Sequence, residues 1–124
     1  MTEFTDLEVA ALRAIFSETP ELAQALGRQL DASVVTKRED SGGGFFTTMS
    51  VAHDAPAVDS PSVLGDATHA RVDSLAHGLG FVLFMQAGRL HMLERFAYGP
   101  ESTHDLDLAA LQFEIYHQPV QRLG

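Results

Sequence analysis

The chain has 124 residues, 45% of them hydrophobic, which predicts one globular domain over residues 1–124 rather than a disordered chain. It has no cysteine, which excludes disulfide scaffolds, thiolate zinc sites, iron–sulfur clusters and cysteine nucleophiles. The formal net charge of −9 argues against nucleic acid as a partner, because an acidic surface repels phosphate backbones, and favours a basic protein partner.

The N-terminus and the apolar runs are typical of a soluble protein. The opening sequence MTEFTDLEVAAL lacks the basic segment and the separate apolar segment of a secretory signal. The longest apolar run, around GFVLFM, is the length of a strand and falls well short of the roughly 18 residues that cross a bilayer. We therefore expect a cytoplasmic protein with no membrane partner.

Two helices are expected at the start of the chain. Thr5 and Glu8 have the spacing of a capping box, and apolar residues then recur at helical intervals, which predicts a helix from about residue 6 to 17. The sequence TPE at 19–21 is a second start signal, with threonine as N-cap and proline at the first helical position. This second helix is expected over residues 20–31.

Residues 33–117 carry the strand signals. Segments 33–37 and 45–51 are β-prone and flank a glycine-rich breaker, which predicts a hairpin. Further strands are expected at 67–72, 80–86, 89–98 and 113–116, with a long loop at 52–64 and a short helical turn at 106–111.

The order of these elements predicts the fold class. Helices first and strands afterwards indicate an α+β fold, in which the two N-terminal helices pack on a twisted antiparallel sheet of about four to six strands. A parallel sheet is not expected, because helices do not alternate with the strands.

The familiar motifs of catalysis and metal binding are missing from the sequence. KREDSGGGFF lacks the GxxxxGK[ST] pattern of a phosphate loop, and no GxSxG elbow surrounds a serine. The six histidines show no HxH, HxxxH or HExxH spacing; a metal site using His53, Asp54 or Asp59 of the long loop would be the best of the weak alternatives. We predict no metal, no cofactor and no catalytic residue.

The C-terminal hairpin is the most informative feature. A two-residue turn at Ala87-Gly88 would place Phe81 opposite Glu94, whereas a three-residue turn with Gly88 in the left-handed conformation would shift the pairing by one residue. In either register the first strand is apolar on both faces. Such a strand is usually covered on both sides or by a partner chain, which favours a homodimer or a protein partner.

Glu94 is the one carboxylate in an otherwise apolar row, which at strand period contains Leu90, Met92, Phe96 and Tyr98. One interpretation is a general base or a ligand anchor. A second is a structural residue that accepts backbone amides near a bulge or pairs with a cation, the candidates being Arg71, Arg89 and Arg95. A third places Glu94 at the solvated rim of the sheet.

Residues 78–99, GLGFVLFMQAGRLHMLERFAYG, resemble a hairpin pattern of small bacterial α+β proteins of unassigned function. That pattern joins a Gly-Phe apolar strand to a turn, then Arg-Leu-x-x-Leu-Glu and an aromatic residue. Arg95 stands where the pattern has glycine, and Ala87 replaces an acidic turn residue. Some such proteins resemble immunity or accessory factors of bacterial toxin systems, so the resemblance implies a binding role and no catalytic residues.

Two functions remain open on these grounds. The first is a small non-enzymatic binding or accessory protein, as a homodimer or with a protein partner, that uses its acidic surface or an apolar sheet face. The alternative is a small-molecule-binding or hydrolytic domain with a pocket between the sheet and loop 52–64, whose ligand-binding residues would be Glu94, His91 and His53. The missing catalytic motifs favour the first.

Overall fold

The computed structural model describes residues 3–40, 44–65, 67–72, 75–97 and 113–117. Within these ranges the chain forms two α-helices followed by seven β-strands, and all the strands belong to one antiparallel sheet. This arrangement confirms the predicted α+β class. Among the described residues, no helix is long and apolar enough to cross a membrane.

Helix α1 (Asp6–Ser17) begins at the predicted capping box. The Glu8 amide donates to Thr5 Oγ1 at 3.2 Å, and the Thr5 amide donates to Glu8 Oε1 at 2.7 Å. Two backbone N–H groups at the start of the helix are thereby satisfied, which stabilises this end of α1. The helix then buries Leu7, Leu12 and Ile15 at helical spacing.

Helix α2 (Pro20–Asp31) also has the predicted bounds. Thr19 is its N-cap residue, but its side chain makes no capping bond to the helix. The Thr19 hydroxyl instead donates back to the Phe16 carbonyl at 3.4 Å. Pro20 at the first helical position has its backbone φ angle fixed by its ring, which favours helix initiation without a side-chain cap.

The sheet has strand order β1-β2-β6-β5-β4-β7, with β3 pairing to β5 off this path. It contains one strand more than the upper predicted number, because two residues of the predicted loop 52–64 form β3. Residues 52–62 remain irregular. The strands are β1 (Ser33–Asp40), β2 (Gly44–Val51), β3 (Val63–Leu64), β4 (Thr68–Val72), β5 (Leu75–Gln86), β6 (Arg89–Ala97) and β7 (Phe113–His117).

Three predictions fall partly or wholly outside the described residues. They are the tip of the glycine-rich turn at 41–43, the end of the 89–98 strand at Tyr98, and the helical turn at 106–111. The hairpin on either side of the first gap is confirmed, since β1 and β2 pair antiparallel from Ser33 opposite Val51 to Asp40 opposite Phe45.

Both helices pack on one face of the sheet, which we call the inner face. Fully buried residues of the two layers meet there, and burying a side chain of this size contributes roughly 1.5–3 kcal/mol. The helices supply Leu7, Leu12, Ile15 and Leu26, and the sheet supplies Leu79, Phe81, Leu83 and Leu93. The opposite side of the sheet is its outer face.

The turn between β5 and β6 has two residues, Ala87 and Gly88, with φ angles of 52° and 76°. Two positive φ values in succession are typical of a type I′ hairpin turn. Glycine is also required for space, because a Cβ at Gly88 would lie 2.4 Å from the Val58 carbonyl oxygen. The first of the two registers considered for this hairpin is therefore present at the turn, with Met85 opposite Leu90.

Beyond the turn the register shifts by one residue. Met92 lies opposite Phe84, so His91 is an extra residue that forms a β-bulge in β6. As a result Glu94 lies opposite Val82, and Arg95 takes the place opposite Phe81. The bulge, rather than a three-residue turn, produces the one-residue shift, and it moves Glu94 to the outer face.

Candidate functional site

Strands β2 and β6 present different polar groups to the two faces of the sheet. Arg95 and Thr47 point to the inner face and have no exposed surface, whereas Glu94 belongs to the outer face. Since neighbouring strand residues alternate between faces, the bulge at His91 decides which of Glu94 and Arg95 is buried. The expectation that Glu94 shares a face with Leu90 is wrong for this reason.

A second bulge positions Arg38 on the inner face. Val35 pairs with Met49 and Lys37 with Thr48, so Thr36 is the extra residue in β1. The Thr36 hydroxyl donates to the Thr48 carbonyl at 3.2 Å, which ties the bulge to β2. Without the bulge, strict alternation would send the Arg38 side chain to the outer face, away from α1.

Three side chains donate to the carboxylate of Glu8, and the four residues form what we call the ion cluster: Glu8, Arg38, Thr47 and Arg95. Arg38 binds the carboxylate with two donors, Nε to Oε2 at 2.9 Å and Nη2 to Oε1 at 2.6 Å. Thr47 Oγ1 donates to Oε2 at 2.5 Å, and Arg95 Nη1 donates to Oε2 at 3.1 Å. Arg95 Nη2 donates in turn to Thr47 Oγ1 at 2.7 Å.

The carboxylate of Glu8 is held in its charged form. Burial raises its pKa, but hydrogen bonds from Arg38, Thr47 and the Thr5 amide, together with the charge of Arg95, outweigh this effect and lower the pKa from 4.5 to about 2. A group so saturated with donors has no free lone pair for a substrate proton at neutral pH. The cluster therefore joins α1 to the sheet and is unsuited to acid–base catalysis.

Arg95 is as deeply buried as Glu8, but a smaller share of its polar side-chain atoms has hydrogen-bond partners within the described ranges. Burial lowers its pKa, and the Glu8 charge works in the opposite direction. Its guanidinium lies 5.3 Å from the centre of the Phe45 ring, a cation–π distance. Within the described part of the chain, the buried Nε atom has no hydrogen-bond partner. Among the described residues, Glu8 is the one carboxylate that forms an ion pair with Arg95, so Arg95 depends on Glu8 for compensation of its charge.

The outer face carries two adjacent rows of apolar side chains, half-buried except for Val63, that we call the outer patch. The cross-strand partners of Glu94 are Phe46 on β2 and Val82 on β5. The adjacent row continues across β6, β5 and β3, where Val63 has 51% of its surface exposed. The members of the outer patch are Phe46, Val63, Val82, Phe84 and Met92. Neither described helix packs on this face.

Glu94 lies in the middle of the outer patch and is half-buried. Among the described residues, none of Arg71, Arg89 and Arg95 forms an ion pair with it, and its carboxylate makes no hydrogen bond. Arg95 pairs with Glu8, Arg71 with Glu114, and Arg89 donates to loop carbonyls. The proposed structural ion pair of Glu94 is therefore not found in this part of the chain.

The loop after β2 packs at the turn end of the hairpin rather than beside Glu94. Buried Gln29 of α2 donates to the carbonyls of Pro56 and Gly88, both at 2.9 Å, and accepts from the Leu90 amide at 3.0 Å. Arg89 Nη2 donates to the carbonyls of His53 and Ala55 at 3.4 and 3.3 Å. These contacts hold the loop between α2 and the β5–β6 turn.

The three candidate ligand residues are not brought together at this loop. His53 is exposed on the loop, His91 is half-buried at the β6 bulge, and Glu94 lies on the outer face. A cavity of about 230 Å³ lies elsewhere, between the end of α1 and β3, and is lined by Ile15, Glu18, Thr19, Val63, Leu64 and Gly65. That cavity contains none of the three candidates. Their role as ligand-binding residues stays a prediction.

Glu18, at the rim of this cavity, has a structural function. Its carboxylate accepts from the Ala67 amide at 3.2 Å and from the Thr68 hydroxyl. These donors lie where the chain passes from β3 to β4. The carboxylate thus gives hydrogen-bond partners to an amide and a hydroxyl at a point where the strand pairing is interrupted.

Metal ligands do not cluster in the described ranges, where no group of three or more histidine and acidic side chains could hold an ion. Glu39 and Asp40 are exposed on β1, and the Glu39 carboxylate lies 2.5 Å from Lys37 Nζ.

Comparison of the chain with protein-family models gives no match, and comparisons with curated proteins and with solved structures give none either. The inference of function therefore depends on the geometry of this chain. The sequence reveals Glu8 as a capping residue, but the spacing of its residues does not reveal the ion cluster. One signal was present: the adjacent opposite charges of LERF, in an apolar strand, require one of the pair to face the core.

Proposed function

We propose that the chain is a small non-enzymatic binding protein that docks a cationic protein partner on the outer patch. The observation that carries this proposal is the position of Glu94, a carboxylate without an ionic partner in the described ranges, among half-buried apolar side chains. A partner with an apolar surface and a basic side chain would cover the patch and supply the missing cation.

Charge supports a basic partner over a second copy of the chain. The chain has 17 acidic and 8 basic residues apart from histidine, so two copies repel each other at long range. An isologous contact over the outer patch would also bring two Glu94 carboxylates into one apolar interface without a cation. A basic partner gains from both features. An immunity or accessory factor, the role implied by the hairpin resemblance, would act in this way.

The hydrolytic alternative receives less support. Glu8 is saturated by donors and its pKa of about 2 leaves it ionised, so it offers no proton and no free lone pair at neutral pH. The candidate ligand residues Glu94, His91 and His53 do not line the cavity between α1 and β3, at whose rim Glu18 lies. A binding function on the outer patch does not require Glu94, His91 and His53 to lie in one pocket.

The proposal is tested by placing a photo-crosslinking side chain at Val63 and, as a control, at Arg13 on the helical layer, where 58% of the side chain is exposed. A protein from the native cytoplasm that crosslinks at Val63 but not at Arg13 is then identified and purified. Its binding to wild type and to Glu94→Lys is measured by titration. We expect its binding to weaken at least tenfold in Glu94→Lys and to weaken with added salt.

Three results would overturn the proposal. They are capture of equal strength at both positions, a captured species that proves to be this chain itself, and equal binding of the purified partner to wild type and Glu94→Lys. Light scattering of the pure protein checks the second result independently, since a stable dimer that Glu94→Lys dissociates would assign the outer patch to self-association.

A further inference from the structure

We infer that the partner occupies the outer patch with one short amphipathic α-helix that carries an arginine or lysine opposite Glu94. This inference rests on the proposed function and specifies the partner's form. It follows from the dimensions of the patch, from the kind of element that can cover a sheet face, and from the place of the charge within the patch.

The width of the patch follows from the strand pairing. Its members lie on four adjacent strands, with Val63 on β3 at one side and Phe46 on β2 at the other. Three strand spacings of about 4.8 Å give a width of roughly 14 Å. Along the strands, the rows of Met92 and Glu94 are about 7 Å apart. These dimensions match one helix, whose diameter is about 10 Å and whose rise of 1.5 Å gives about nine residues across the patch.

A second copy of the chain or a second sheet would require more surface. A specific stable interface buries about 800 Å² on each partner, whereas this patch extends only roughly 14 Å across the strands and about 7 Å between its two rows. A partner strand is also unsuitable, because strands join a sheet through backbone hydrogen bonds at an edge. The patch lies on the face of the central strands β5 and β6. A single helix is the element that covers a face of this size.

The position of Glu94 fixes where the helix carries its charge. The carboxylate lies between Phe46 and Val82, with Met92 two residues away on the same strand. A docked helix therefore surrounds it with apolar contacts, and the partner's cation must lie within the apolar stripe of the helix. This pattern differs from an ordinary amphipathic helix, in which the charges lie on the opposite side.

The test uses the full-length protein and synthetic fluorescent peptides as probes. One peptide of about 14 residues is stapled as a helix, with leucines at positions i, i+3 and i+7 and an arginine at i+4. A second carries glutamate in place of that arginine. A third contains the residues of the first in alternating apolar and polar order, which favours a strand. Fluorescence anisotropy measures the binding of each peptide.

We expect the arginine helix to bind wild type at least tenfold more tightly than either other peptide. Glu94→Lys should reverse the preference between the arginine and glutamate helices. Glu21→Lys, the same change on the exposed surface of α2, should leave the preference intact. Glu94→Gln guards against misfolding of the lysine variant, and it should remove the preference without reversing it.

The outcomes separate the two proposals. If the strand-order peptide binds as tightly as the arginine helix and Glu94→Lys still weakens both, the helix is refuted while the docking of a cationic partner stands. If no peptide binds, or if Glu94→Lys and Glu21→Lys behave alike, the helix is refuted here, and the crosslinking experiment at Val63 decides the proposed function separately.

Discussion

The two glutamates Glu8 and Glu94 lie against opposite faces of the same pair of strands and differ in the hydrogen bonds that their carboxylates accept. Glu8 receives hydrogen bonds from two arginines, a hydroxyl and a backbone amide. Glu94, whose neighbours Leu93 and Arg95 on β6 are fully buried on the inner face, receives none within the described ranges. Burial on the inner face requires full compensation of charge, whereas the outer face tolerates an open carboxylate because water reaches it.

We propose that the inner glutamate serves stability and that the outer one serves the binding role proposed above. A buried ion pair adds little net stability over apolar packing, but loss of one partner leaves the other charged and dry. A half-exposed carboxylate in an apolar patch contributes little to folding. In the proposed complex, the partner would supply the cation that this carboxylate lacks among the described residues.

The largest expected effect is that of Glu8→Gln. The glutamine keeps most of the volume and removes the charge that compensates buried Arg95, so we expect the free energy of unfolding to fall by about 3–5 kcal/mol at pH 7. Urea denaturation followed by circular dichroism measures this change. Glu94→Gln, the same substitution on the outer face, should change the value by less than about 0.5 kcal/mol. Equal losses in the two variants would remove the contrast between the faces.

The pH dependence of stability provides a second test of the ion cluster. The folded-state pKa of Glu8 is about 2 against an ordinary 4.5, so the unfolded chain takes up a proton at this residue first as the pH falls. The contribution is complete above pH 5 and declines as the pH falls towards 2, by about 2 kcal/mol at pH 3 and about 3 kcal/mol at pH 2.

The measurement compares wild type with Glu8→Gln in urea at intervals from pH 7 to pH 3. The other carboxylates titrate in both proteins, so the difference between the two curves isolates Glu8. The advantage of wild type should shrink towards acid pH. A difference that stays constant with pH would mean that the Glu8 carboxylate has its ordinary pKa in the folded protein.

The helices were predictable because their signals are local. The capping box at Thr5 and Glu8 and the proline at position 20 determine where α1 and α2 begin, and the two-residue turn at Ala87 follows from the sequence around Gly88. The ion cluster was not predictable in the same way. It depends on one-residue bulges at Thr36 and His91, and each bulge reverses the facing of every later residue in its strand.

The same bulge explains how the candidate site was only partly predicted. Sequence alternation identified an apolar row with one carboxylate, and Met92 and Phe96 do share the outer face with Glu94. Leu90 does not, because it precedes the extra residue. An alternating pattern shows which residues of a strand share a side. A bulge changes which of the two sides meets the helices, and no local signal in the sequence RLHML marks the bulge at His91.

The effect of Glu94→Val on stability is expected to be small, but it sharpens the contrast between Glu8 and Glu94 most. Glu94→Val replaces a half-buried carboxylate by a β-branched side chain among apolar neighbours on a central strand. We therefore expect the free energy of unfolding to rise by about 0.5–1 kcal/mol, while the preference for the arginine helix is lost. A gain in stability together with a loss of binding is characteristic of residues retained for function.

Glu39→Val provides the matched control, since Glu39 lies on the same face opposite Phe46 but on the edge strand, with Lys37 beside it. Its stability should change by less than about 0.5 kcal/mol. If instead Glu94→Val lowers stability by more than about 1 kcal/mol, the carboxylate has a structural contact in the folded chain. Glu94 would then resemble Glu8, and the assignment of recognition to the outer patch would lose the residue on which it depends.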